Sequence, residues 1–222
     1  MIRLWKMTDA QSCSQDRTYD SVHYTHPCDV QWGKNITHQR YHGAALVRAE
    51  GGVLIEAYRA PALAVLFAPV SPLVGQPDCR LWEAETSLEN IVLDEGYRIG
   101  VSRLTTRHEV TKPLISATAA VRFGLLCGLA VCQDVTWRAW AQAWLTDGER
   151  SSAAAREIDW FIRTKTDRAE GDNVADYAAQ SAEGLALGFD WSDEMAAYAG
   201  RAAGQMGIDL ITLAQEALAG LD

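Results

Sequence analysis

Apolar and polar residues alternate with a period near two in the first half of the chain and recur about every 3.6 residues in the second, with the change falling near Pro113. Residues 2–7 alternate as a first strand. The stretch from Thr8 to about Gly43 is polar and carries no period. Residues 44–49 and 53–58 flank Glu50-Gly51-Gly52 and predict a hairpin, because glycine supplies the positive φ of tight turns. Pro61 stands where a helix takes its first residue, which predicts a short apolar helix over 62–68 stopped by Pro69. Residues 79–85 and 97–104 read as strands, with 91–93 between them and a turn at Asp94-Glu95-Gly96. Together these segments make an antiparallel sheet.

Beyond Pro113, Ser116, Asp134 and Ser151 or Ser152 are placed as N-caps and predict helices over 117–132, 135–145 and 152–165. Three alanine-rich helices follow, over about 173–187, 193–203 and 208–219, divided by Gly188, Gly204 and Gly207. The fold class is therefore α+β: a β-rich domain over 1–112, with one short helix on its sheet, and an Ala-rich helical bundle over 113–222.

Composition narrows the class. The 222 residues are 48% hydrophobic and 22% charged, enough apolar surface for a real core. No apolar run approaches the roughly 20 residues that cross a bilayer, and nothing near Met1 has the form of a secretory signal. The expectation is a protein of the cytoplasm of a bacterial host cell, with no membrane partner. Its five cysteines are odd in number and scattered, which predicts free thiols.

Charge changes the picture further. Of 20 Lys+Arg and 29 Asp+Glu, residues 169–222 hold one base, Arg201, and ten acids, so the net −9 of the whole chain equals 1 − 10 in this tail. Direct nucleic-acid binding through the C-terminal half is excluded, because phosphate contacts need clustered Lys and Arg. Asp176, Glu183, Asp190, Trp191, Asp193 and Glu194 are the candidate contacts for a basic protein or a nucleic-acid-binding protein complex. The competing reading is a solvated helical surface that keeps the bundle soluble.

Two further groups bear on chemistry. His23, His26 and Cys28, followed by His38 and His42, collect zinc-ligand types within twenty residues, although the spacing matches no familiar finger. Zinc is the one candidate cofactor, set against partly exposed loop histidines and no cofactor at all. His108 with Glu83 or Glu85 has the composition of a general acid–base pair. The same carboxylates on a solvated sheet face would simply pair with Arg80 or Arg103. Trp137, Trp140 and Trp144 form one helical stripe, as core residues do. Phosphate-loop, dinucleotide-binding, zinc-protease and nucleophile-elbow signatures are absent from the sequence.

Residues 1–6 (MIRLWK), 56–61 (EAYRAP), 80–85 (RLWEAE) and 121–127 (VRFGLLC), with the Ala-rich tail, give the chain a resemblance to a family of phage and prophage accessory proteins. The resemblance covers most of the chain. It implies a viral or mobile-element context and brings no catalytic residues with it. With the lopsided charge it points to a non-enzymatic interaction module, an anti-CRISPR-like inhibitor of a bacterial defence or nucleic-acid-processing complex. A small enzyme using the sheet face or a His/Cys metal site, and a virion or assembly component, are the alternatives.

Overall fold

The computed structural model describes residues 1–8, 12–14, 30–39, 54–68, 79–146, 148, 150–165, 167 and 169–219. These divide into two units, Met1–Pro113 and Leu114–Asp222.

In the first unit, β1 (Ile2–Thr8) is the middle strand of a seven-stranded sheet. On one side it pairs with β6 (Arg80–Thr86), from Ile2 opposite Thr86 to Thr8 opposite Arg80; on the other it meets β5 (Ile55–Tyr58) at Trp5 and Tyr58. β9 (Arg103–Val110) and then β4 (Ile36–Gln39) extend the β6 flank, while β8 (Arg98–Val101) and β7 (Ile91–Asp94) extend the β5 flank. Every pairing is antiparallel. A separate two-residue ladder joins β2 (Cys13–Ser14) to β3 (Val30–Gln31). The helix α1 (Pro61–Leu66) starts at the proline, as expected, and packs on β1, β5 and β6.

One expectation changes. Residues 97–104 do not form a single strand: β8 ends at Val101, and Ser102 donates both its amide and its hydroxyl to the Asn90 carbonyl. β9 then begins on the opposite flank. In a flat sheet four strand spacings of about 4.8 Å would separate β8 from β9, whereas the two Cα steps from Val101 to Arg103 reach only about 7 Å. The sheet is therefore rolled about β1, and its flanks meet at Ser102. The rolled interior holds Leu4, Ile55, Ala57, Ala84, Ile99, Val101 and Leu104, with Trp32 among them. A second cluster, Met7, Ala64, Ala68, Cys79 and Leu81, lies under α1.

The second unit consists of α2 (Ala117–Val131), α3 (Val135–Leu145), α4 (Ser152–Arg163), α5 (Glu170–Leu187), α6 (Ser192–Gln205) and α7 (Leu210–Ala219). Ser116, Asp134 and Ser151 accept from the first-turn amides of α2, α3 and α4, as their positions predict. α5 begins earlier than 173 because the Asp172 carboxylate accepts from the Ala169 amide and caps the first turn. α2 is the central helix and packs against α5, α6 and α7. Two of the three stripe tryptophans are core: Trp137 and Trp144 are fully buried, Trp140 is half-buried, and the Trp137 indole donates to the Ala175 carbonyl at 3.1 Å. Its ring sits where a Cβ on Gly128 would fall, 2.3 Å from the ring edge, so α2 requires glycine there. Among the described residues no helix is long and apolar enough to cross a membrane.

Candidate functional site

The six acidic-face residues separate into two groups. α4 and α5 pack against each other and are crosslinked at three levels: Lys165, just past α4, bonds Asp172 at 3.2 Å; Asp159 meets Asp176; and Arg156 bonds Glu183 at 2.7 Å. Asp176 and Glu183 are therefore engaged with α4 rather than open to a partner. Lys165 also reaches Asp134, 3.2 Å away, and the Cys132 thiol donates to buried Asp172 at 3.6 Å. Burial, with Asp172 alongside, raises the Cys132 thiol pKa, which keeps it protonated. The free Cys127 thiol is fully buried and pushed far upward for the same reason.

The remaining four residues gather at the turn between α5 and α6. Gly188 takes the left-handed conformation at φ 71°, and the Phe189 amide returns to the Gly184 carbonyl at 2.8 Å, which ends α5 in a Schellman-type turn. That turn sets the Phe189 and Trp191 rings in a stack with centroids 5.6 Å apart, 47% and 36% exposed, next to Leu187 at 41%. The absence of a Cβ at Gly184 seats the Trp191 indole, whose ring edge would lie 2.9 Å from it. Ser181 donates to the Ser192 carbonyl at 2.7 Å in the interior and anchors the turn from below. Asp190 is exposed, while Asp193 and Glu194 occupy the first turn of α6, where the helix dipole favours them. Burial lifts the Asp193 carboxyl above the ordinary range, against a weaker lowering by the Ser192 hydroxyl. Apolar rings, a rigid turn and a rim of carboxylates have the composition of a binding hot spot. Phe189 and Leu187 belong to it as fully as Trp191, and the adjacent apolar–Gly–aromatic run was the signal for them.

On the other unit, Glu83 lies opposite His108 across β6 and β9, with the imidazole 4.0 Å from the carboxylate. Glu83 also pairs with Arg3 at 3.3 Å, Glu85 with Arg107, and Arg80 with Glu109 at 3.6 Å. His108 is exposed. The carboxylates do pair with arginines, but Arg3 and Arg107 take the places expected of Arg80 and Arg103: Arg3 comes from the neighbouring β1, and Arg107 from β9 beside the bulge at Glu83/Ala84. Of the zinc candidates, His23, His26, Cys28 and His42 lie outside the described residues, as does most of the predicted 44–58 hairpin. His38 stands on β4 edge-on to Trp32, ring centroids 4.5 Å apart. Among the described residues no cluster of three or more His, Cys, Asp or Glu side chains is arranged to hold a metal.

Compared with protein-family models, curated proteins and solved structures, the chain matches none.

Proposed function

We propose that the chain is a non-enzymatic protein-docking module of phage or prophage type, which binds a basic protein surface through the α5–α6 turn. The reading is carried by the stacked Phe189–Trp191 pair, held half-exposed by a rigid turn within acidic surroundings. Exposed aromatic anchors supply most of the affinity in such contacts, and surrounding charge supplies rate and selectivity. Residues 169–222 carry ten acids against one arginine; Asp172, Asp176 and Glu183 are engaged with α4, and Asp190, Asp193 and Glu194 remain at the turn to face a basic partner. The phage resemblance favours a defence or nucleic-acid-processing complex as the source of that partner, since its phosphate-binding surface is basic.

The test is capture from nuclease-treated bacterial lysate by the wild-type chain, by Trp191→Ala and by the triple variant Asp190→Asn/Asp193→Asn/Glu194→Gln, followed by titration with the purified captured protein. The expected outcome is one basic protein, bound at least about tenfold more weakly by Trp191→Ala, as at other aromatic anchors. The triple variant should bind more slowly and with less salt dependence. Capture that ignores both variants would discard this turn as the docking face.

A further inference from the structure

The turn between α5 and α6 carries charge that the chain does not neutralise. Among the described residues Asp190, Asp193 and Glu194 have no salt-bridge partner, whereas Asp172 and Glu183 of the preceding helix are paired with Lys165 and Arg156. Arg201, the one base of residues 169–222, lies over the Tyr198 ring, 6.0 Å from its centroid. The N-terminus of α6 alone would disfavour a cation, with about half a positive charge of helix dipole, but Asp193 and Glu194 stand in that first turn and outweigh it. Beside these carboxylates Phe189 and Trp191 stack with 29° between their ring planes, both partly exposed, and Leu187 extends the apolar surface. Flat ring surface next to unpaired carboxylates suits a ligand that is flat, cationic and rich in N–H donors. The arginine guanidinium is such a group: it is delocalised and weakly hydrated, lies against aromatic rings and offers its edge donors to carboxylates in pairs. A lysine ammonium carries the same charge as a compact, strongly hydrated point, so it gains from the acids and little from the rings. The bundle makes one contact of this kind within itself, where Arg150 lies 4.5 Å over the buried Trp144 ring.

We propose that the α5–α6 turn recognises arginine: a guanidinium of the partner lies against the exposed Phe189–Trp191 surface and donates from its edge to the carboxylates of the turn. The inference rests on the docking reading and deepens it, replacing a basic partner in general with an arginine-bearing segment. Asp190 is exposed and stands between the two rings in the chain, which makes it the first acceptor. The site is also built in advance of its ligand. Trp191 is seated on Gly184, and the Phe189 amide closes on the Gly184 carbonyl, so little side-chain freedom remains to be lost on binding.

The test titrates the full chain with a short Arg-Gly repeat peptide and with Lys-Gly and citrulline-Gly peptides of the same length, by calorimetry and by the NMR shift of the Trp191 indole N–H. The Arg-Gly peptide should bind at least about tenfold more tightly than the Lys-Gly peptide, and the citrulline peptide, flat but uncharged, more weakly than Arg-Gly. Trp191→Ala should bring the Arg-Gly affinity down to the Lys-Gly level, while Asp190→Asn should weaken both cationic peptides. Equal affinity of the wild type for Arg-Gly and Lys-Gly overturns arginine recognition and leaves a basic docking face standing. Binding of neither peptide at millimolar concentration, or an arginine preference unchanged in Trp191→Ala, overturns it too. Lysate capture that ignores Trp191→Ala and the acidic triple variant discards the docking face itself, so the two failures are told apart.

Discussion

The two units handle charge in opposite ways. In the rolled sheet, opposite charges are brought together on neighbouring strands, Arg3 with Glu83, Arg107 with Glu85, Arg80 with Glu109 and Arg98 with Glu56, and Arg98 also holds Glu95 in the turn before β8. In the bundle, the cations of α4 are spent on carboxylates of its own interface, and the surplus of acid collects on α5, α6 and the turn between them. A sheet presents each side chain to a cross-strand neighbour, so its charges neutralise locally. Helices bury one stripe and turn the rest outward, so the same residue types segregate into faces. The first pattern makes a quiet surface and the second leaves one that a partner can recognise.

Three substitutions sharpen this contrast, beginning with the largest effect. Trp137→Ala removes a fully buried indole that fills the space above Gly128 and donates to Ala175, and should cost the bundle about 3–5 kcal/mol in chemical denaturation. A loss below about 1 kcal/mol would mean that close alanine packing, and not the tryptophan stripe, holds the bundle. Arg98→Ala should cost the sheet unit about 3 kcal/mol, because the guanidinium is nearly buried and its loss leaves Glu56 and Glu95 facing each other. Arg3→Gln, at the exposed Glu83 pair, should cost under about 1 kcal/mol, and equal effects at the two arginines would break the claim that burial ranks these pairs.

A comparable effect at the α3 cap carries a pH signature. Burial raises the Asp134 carboxyl, but the amides of Trp137 and Thr136 and the Lys165 ammonium outweigh it and hold the pKa below the usual range. Asp134→Ala should cost about 1 kcal/mol, the typical worth of an N-cap. That contribution is present above the unfolded aspartate value near 3.9 and is lost as pH falls through the lower folded value. Thermal melts of wild type and Asp134→Ala should converge as pH falls below the unfolded aspartate value of about 3.9. A constant gap for Asp134→Ala from pH 2 to pH 8 would remove the cap from this account.

Much of this architecture was legible because its causes are short-range. Ser116, Asp134 and Ser151 cap the helices they precede, Pro61 opens α1, and Trp137 and Trp144 of the tryptophan stripe are buried. The candidate docking turn was half legible: Asp190 and Trp191 lie there, but Asp176 and Glu183 face the other way, toward α4. Helical periodicity places Asp176 and Glu183 on exposable positions and does not say which neighbour comes to cover them.

By itself, then, the sequence determined the α+β class, the point at which strands yield to helices, the caps and the acidic excess of the tail. Each depends on residues a few positions apart and on propensities that act before any packing. Tertiary structure alone decided the bend at Ser102 that rolls the sheet, the seating of Trp137 on Gly128 and Trp191 on Gly184, and the meeting of Asp159 with Asp176. Those contacts join residues that are distant along the chain or on different elements, and their energies arise only when close packing brings two surfaces together and excludes water from between them.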